Sequence, residues 1–134
     1  MDDYQDASIR HLQDAESLFA QTPPRLANAS HLFGLSAECS LKGIARKFNS
    51  TAKFSGGNGH LPGLFSELKN VSSPIGINSD LLLHITSIQP QFANWNVNQR
   101  YASQTTFVLT TIANEQTGSN AAHLLMTNCL NGVV

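Results

Sequence analysis

Residues 23–48 (PPRLANASHLFGLSAECSLKGIARKF) constrain what this chain can fold into more than any other stretch. Projected at about 100° per residue, Leu26, Ala29, Leu32, Phe33, Ala37, Leu41, Ile44 and Phe48 spread over more than half the circumference of a helix. A helix with so wide an apolar arc is stable only when packed on several sides. The chain is therefore expected to be organised around it, with other amphipathic helices as walls. The polar remainder is narrow. With His31 as origin, Glu38 falls at about −20° and Lys42 at about +20°, so the three stack along one edge.

The flanking segments supply the walls. Tyr4, Ala7, Ile9, Leu12, Ala15, Leu18 and Phe19 recur at helical spacing, and that helix is expected to end near Gln21. Thr22 is a candidate cap for the central helix, with Pro23 in its first turn. Residues 49–59 (NSTAKFSGGNG) read as a loop. Leu61, Leu64, Phe65, Leu68 and Val71 give a short helix with His60 at its entrance and Pro62 in its first turn, closed by Ser72-Ser73-Pro74. Ser79-Asp80 opens another through Leu82, Ile85 and Ile88, which Pro90 must end or kink. Residues 91–103 have no clean period and read as an ordered connection. A last helix is expected from about Gln104 to Asn131, stopped by Gly132. Gly118 inside it marks either close packing or a break in two. The expected architecture is all-α: one domain over 1–134, an antiparallel up-and-down bundle of four to five helices.

Composition narrows the function classes. Charged residues are only 13% of the chain against 41% hydrophobic, and about a quarter charged is usual. So thinly charged a surface suggests that a second subunit covers part of it. A net charge of −1 gives no whole-domain attraction to nucleic acid, so any such role needs a local basic cluster. Cys39 and Cys129 lack metal-ligand spacing and read as buried free thiols. There is no metal cluster, phosphate-cradling glycine loop or Ser-His-Asp set, and no cofactor is expected. The acidic start, with no apolar run behind it, and the lack of a long apolar stretch predict a cytoplasmic chain with no membrane contact.

The run Asn28-Ala29-Ser30-His31-Leu32-Phe33-Gly34-Leu35-Ser36-Ala37-Glu38-Cys39-Ser40-Leu41-Lys42 resembles the second-helix signature of HEPN-domain proteins. Arg10-His11-Leu12-Gln13-Asp14-Ala15 before it, His60-Leu61 heading the next helix, and Trp95 with Arg100-Tyr101 before the last fall in the family's order. The resemblance implies a helical bundle, usually a homodimer, found in toxin–antitoxin and RNA-processing proteins and often paired with a nucleotidyltransferase-like partner. Ribonuclease members carry an Arg, four to six residues and then a His near the start of a late helix. After Arg100 the corresponding positions are Thr105, Thr106 and Phe107, none of which shuttles a proton near neutral pH. Arg25 and His31 have that spacing but lie in the wrong helix. The expectation is a binding module for RNA, nucleotide or a partner protein without catalysis. The alternative is a metal-independent ribonuclease at a dimer cleft, using Arg100 or Arg25 with a His.

The candidate site is His31, Glu38, Lys42, His60, Trp95, Arg100 and Tyr101. The edge formed by His31, Glu38 and Lys42 has two readings. In one it is a solvent stripe with Glu38 and Lys42 as an i,i+4 pair. In the other it lines a groove in which Glu38 holds Arg100, leaving His31 and Lys42 to meet an anion. His60 is either a helix-entry residue or part of that groove. Trp95 is either a packing anchor or a base-stacking platform.

Overall fold

The computed structural model describes residues 2–54, 59–70 and 79–133. Five α-helices account for most of them: α1 Tyr4–Phe19, α2 Leu26–Phe48, α3 Gly63–Asn70, α4 Ser79–Ile88 and α5 Leu109–Leu130. Short 3-10 turns cover Gln89–Phe92, Val97–Tyr101 and Gln104–Thr106, and no strand occurs among the described residues. The fold is all-α, as the periodicity requires.

α2 is the central element. Ala29, Phe33, Ala37, Leu41, Ile44 and Ala45 are fully buried on it, and α1 and α5 pack along its two sides. α1 runs antiparallel to α2. Ser8 meets Ser40, 2.5 Å between hydroxyls, and the Ser36 hydroxyl donates to the Ser8 carbonyl at 2.8 Å. At the other end the Phe19 and Phe33 rings pack edge to face. α5 runs in the same sense as α2, with Ser30 bonded to Glu115 and Lys47 donating to the Cys129 carbonyl. Glu16 ties α1 to α5 by accepting from Gln116 (2.5 Å) and Asn120 (3.0 Å). Leu61, Leu64, Phe65 and Leu68 around α3, together with Leu81, Ile85 and Ile88 of α4, complete the larger apolar cluster around Leu41 and Ile44.

Helix boundaries differ from expectation where packing outweighs local signals. α1 ends at Phe19, two residues early. α2 begins at Leu26, so Thr22 does not cap it and Pro23 is not in its first turn; the cap residue is Arg25, without a side-chain bond. The amide of Ala27 is instead satisfied by the Gln104 side-chain oxygen at 2.9 Å, a cap delivered from 77 residues away, which no local pattern reveals. α4 stops at Ile88 and passes into a 3-10 turn containing Pro90. The connection 91–103 is ordered as expected, through 3-10 turns. Residues 104–106 form a separate turn, and α5 starts only at Leu109. The expected closure of α3 at Ser72-Ser73-Pro74, and Val71 on its stripe, lie outside the described residues.

Two glycines are required by close approach. A Cβ at Gly34 would sit 1.9 Å from the Trp95 ring, and one at Gly118 would sit 2.6 Å from Phe92. α5 is continuous through Gly118, so this glycine marks packing rather than a break. Gly132 has a φ of +76°. It ends α5 in a Schellman arrangement, with Val133 N–H on the Asn128 carbonyl and Gly132 N–H on that of Cys129.

Candidate functional site

Glu38 sits midway along α2, in the helix's polar gap, and is buried. An ionised carboxylate there requires partners, because desolvation without them costs several kcal/mol. It has three. Lys42 donates to Oε2 at 3.3 Å, His60 Nδ1 lies 3.0 Å from Oε1, and the Leu61 amide donates to Oε1 at 3.3 Å. The edge is therefore no solvent stripe: the Lys42 side chain is only 11% exposed. Its ammonium lies 5.9 Å from the Tyr4 ring centre and 5.6 Å from that of Phe54. Arg46, one turn on, faces the same two rings and donates to the Ala52 carbonyl. This end of the site is a carboxylate saturated by local donors, with two cations held against aromatic faces.

Arg100 is not the partner of Glu38. It is exposed, donates to the Val97 carbonyl at 3.1 Å, and lies over the Tyr101 ring at 4.7 Å. Among the described residues no ion pair within 4.0 Å joins it to any carboxylate. The reason is positional: Arg100 belongs to the 3-10 turn Val97–Tyr101, which projects it to solvent, whereas His60 heads α3 and delivers its ring to α2. Tyr101 is itself 79% exposed.

Trp95 is a packing anchor. It is buried, its Nε1 donates to the Ser30 carbonyl at 2.9 Å, and its ring fills the space that Gly34 leaves. His31 stacks on it, ring centres 6.1 Å apart and 13° from parallel, with Nδ1 buried and unbonded. Burial lowers the His31 pKa, with further lowering from Arg100 and His11 against an opposing effect of Glu38. Arg25 is not among the charges acting on it.

A second polar centre escaped the sequence reading. Ser30 donates to Glu115 Oε1 at 2.5 Å and accepts from Gln99 Nε2 at 2.6 Å. Glu115 is buried on α5, and desolvation pushes its pKa up to about 7 against the lowering effect of the Ser30 bond. One signal was available: Glu115 is the sole Asp, Glu, Lys or Arg between Leu109 and Leu130, and no cation lies three or four residues from it.

The thiols are unpaired. Burial first, then the nearby Glu38 charge, raises Cys39 to about 11, and burial also raises Cys129. Both favour the unreactive protonated form at neutral pH. No group of His, Cys, Asp or Glu among the described residues is placed to hold a metal ion, and no described helix is long and apolar enough to cross a membrane. Of the seven sequence-derived site residues, Glu38, Lys42 and His60 form one cluster. His31 of α2 stacks on Trp95 of the connection, and Arg100 with Tyr101 form an exposed pair. Comparisons of the chain with protein-family models, with curated proteins and with solved structures give no match.

Proposed function

We propose that the chain is a HEPN-like, non-catalytic binding module that recognises single-stranded RNA or a nucleotide through the Arg100–Tyr101 pair. The carrying observation is the guanidinium held 4.7 Å over an exposed phenol ring. A base stacks on such a ring while the cation meets the adjacent phosphate. Glu38, engaged by Lys42, His60 and a backbone amide, has no free role as an acid or base. Thr105, Thr106 and Phe107 supply none either.

A homodimer belongs to this reading. Leu83 and Leu124 are large exposed apolar residues on α4 and α5. A groove between those helices, lined by Ile88, Ala121, Leu124 and Leu125 among others, offers a second copy an apolar seat. Light scattering at micromolar concentration tests this; a mass near the 14.5 kDa of one chain removes it.

Fluorescence anisotropy with a labelled single-stranded RNA tests the ligand. Tyr101→Ala is expected to weaken binding by about tenfold, the worth of one stacked base, and Arg100→Ala to weaken it and flatten its salt dependence. Equal affinity of both variants and the parent rejects the reading. One observation favours ribonuclease chemistry instead: His31, its pKa lowered partly by Arg100, is a neutral imidazole within that cation's field. RNA cleavage in EDTA, lost in Arg100→Ala, would establish that alternative.

A further inference from the structure

The cavity beside Glu115 has a volume of about 340 Å³ and plays no part in the Arg100–Tyr101 reading. Ser30 comes from α2, Asn94 and Gln99 from the connection, Thr106 from the turn that follows it, and Thr111 and Glu115 from α5. Of the described side chains lining it, from α2, the connection and α5 alike, Glu115 is the one titratable group. Every other polar group there is neutral. The cavity thus holds a potential negative charge and no positive one.

The hydrogen bonds around Glu115 have a fixed direction. The Asn96 amide donates to Gln99 Oε1 at 3.1 Å, which turns the Gln99 amino group toward Ser30. Ser30 Oγ accepts that proton and so gives its own to Glu115 Oε1. The chain of donors ends on one carboxyl oxygen. Among the described residues no protein donor reaches the other oxygen, which is not one of the buried unpaired atoms and so opens to the cavity that the side chain lines. Its hydrogen-bond partner therefore comes from the cavity, as water or as a ligand that displaces water. A cation supplies both the donor and the absent charge, and its presence would hold the carboxyl ionised.

We infer that this cavity is a binding site for a small organic cation of the amidinium, guanidinium or primary ammonium class, seated on Glu115. The cavity-facing carboxyl oxygen accepts one N–H, while Asn94, Thr106 and Thr111 offer neutral polar contacts to the remainder. The volume corresponds to about ten waters' share of liquid, enough for a planar ligand of nine or ten heavy atoms.

Isothermal titration of the full chain with benzamidinium, neutral benzamide and benzoate, three near-isosteric probes, tests the site. Saturable binding of benzamidinium is expected, with benzamide at least about tenfold weaker, the ratio of a charge-assisted to a neutral contact, and benzoate excluded. Affinity should rise about tenfold between roughly pH 6 and pH 8, as the Glu115 carboxyl, half-ionised near 7, loses its proton. Glu115→Gln should abolish the preference for the cation. Ala102→Trp, at an exposed residue on the cavity rim, should block entry without touching the carboxyl, which keeps the test independent of how Glu115→Gln folds. The inference is overturned by equal binding of benzamide and benzamidinium, by unchanged binding in either variant, or by no saturation up to about 10 mM, the weakest affinity expected for nine heavy atoms.

Discussion

Glu38 and Glu115 are both buried carboxyls on long helices that pack against each other, yet their surroundings are opposite. Glu38 has a lysine one turn away, a histidine delivered by α3, and a backbone amide. Glu115 has a serine hydroxyl and, behind it, an amide side chain, with no cation. At Glu38 the fold brings a lysine and two further partners, so the carboxylate is structural and both its oxygens are engaged. At Glu115 the fold supplies one neutral donor and a cavity, and the proton stays on until near neutrality. The two acids are buried alike and differ in the charge that the fold brings to them.

The largest expected effect comes from breaking the paired centre. Glu38→Ala leaves Lys42 nearly buried without its anion and should cost about 3–5 kcal/mol in urea unfolding. The double change Glu38→Leu with Lys42→Met should recover most of that loss. A single-variant cost below about 1 kcal/mol would mean that the pair is effectively solvated.

Glu115→Gln should act in the other direction, and only at higher pH. The unfolded carboxyl releases its proton around its ordinary 4.5, the folded one around 7. The native state therefore holds the extra proton in that window, and wild-type stability falls as pH rises from about 4.5 to about 7. The full cost above 7 is on the order of 3 kcal/mol, which Gln does not bear. Glu115→Gln should be more stable than the parent by roughly 1–3 kcal/mol near pH 8, with the difference closing near pH 5. A pH-independent difference would remove the contrast between the two acids.

Ser30→Ala sharpens the comparison at the next level. It deletes the donor that lowers the Glu115 pKa, so the midpoint of the stability–pH curve should move further up, and buried-donor loss at Gln99 should cost about 1–2 kcal/mol. The smallest effect is expected at the exposed pair. Arg100→Ala removes one of the influences holding the His31 pKa down. Its NMR titration should shift upward while overall stability changes by no more than about 0.5 kcal/mol. A stationary His31 midpoint would show that Arg100 does not act on it and that burial and the other neighbours set it.

Much of the fold was legible because helical periodicity is local. The apolar arc of 23–48 identified the central helix, Pro90 ended α4, and Gly132 stopped α5. The start of α2 was not legible, since its early amide is satisfied by Gln104 rather than by Thr22. The need of Glu38 for partners followed from the narrow polar edge, but not their identity. His60 and Arg100 are both basic residues on later segments, and only the placement of α3 and of the turn 97–101 distinguishes them.

The sequence by itself determined that this chain is a helical bundle wound around α2, that charges on its polar edge need partners if that edge is buried, and that Gly118 was either a break or a contact. These follow from residue spacing and from desolvation, which act wherever the chain runs. Tertiary structure decided that Gly118 is a contact, because Phe92 lies against it, and that Lys42 and His60 rather than Arg100 meet Glu38. It also decided that Glu115 faces a neutral cavity. A carboxyl's partners come from helices far apart in the chain, and which of them arrives within 3 to 4 Å depends on how those helices pack.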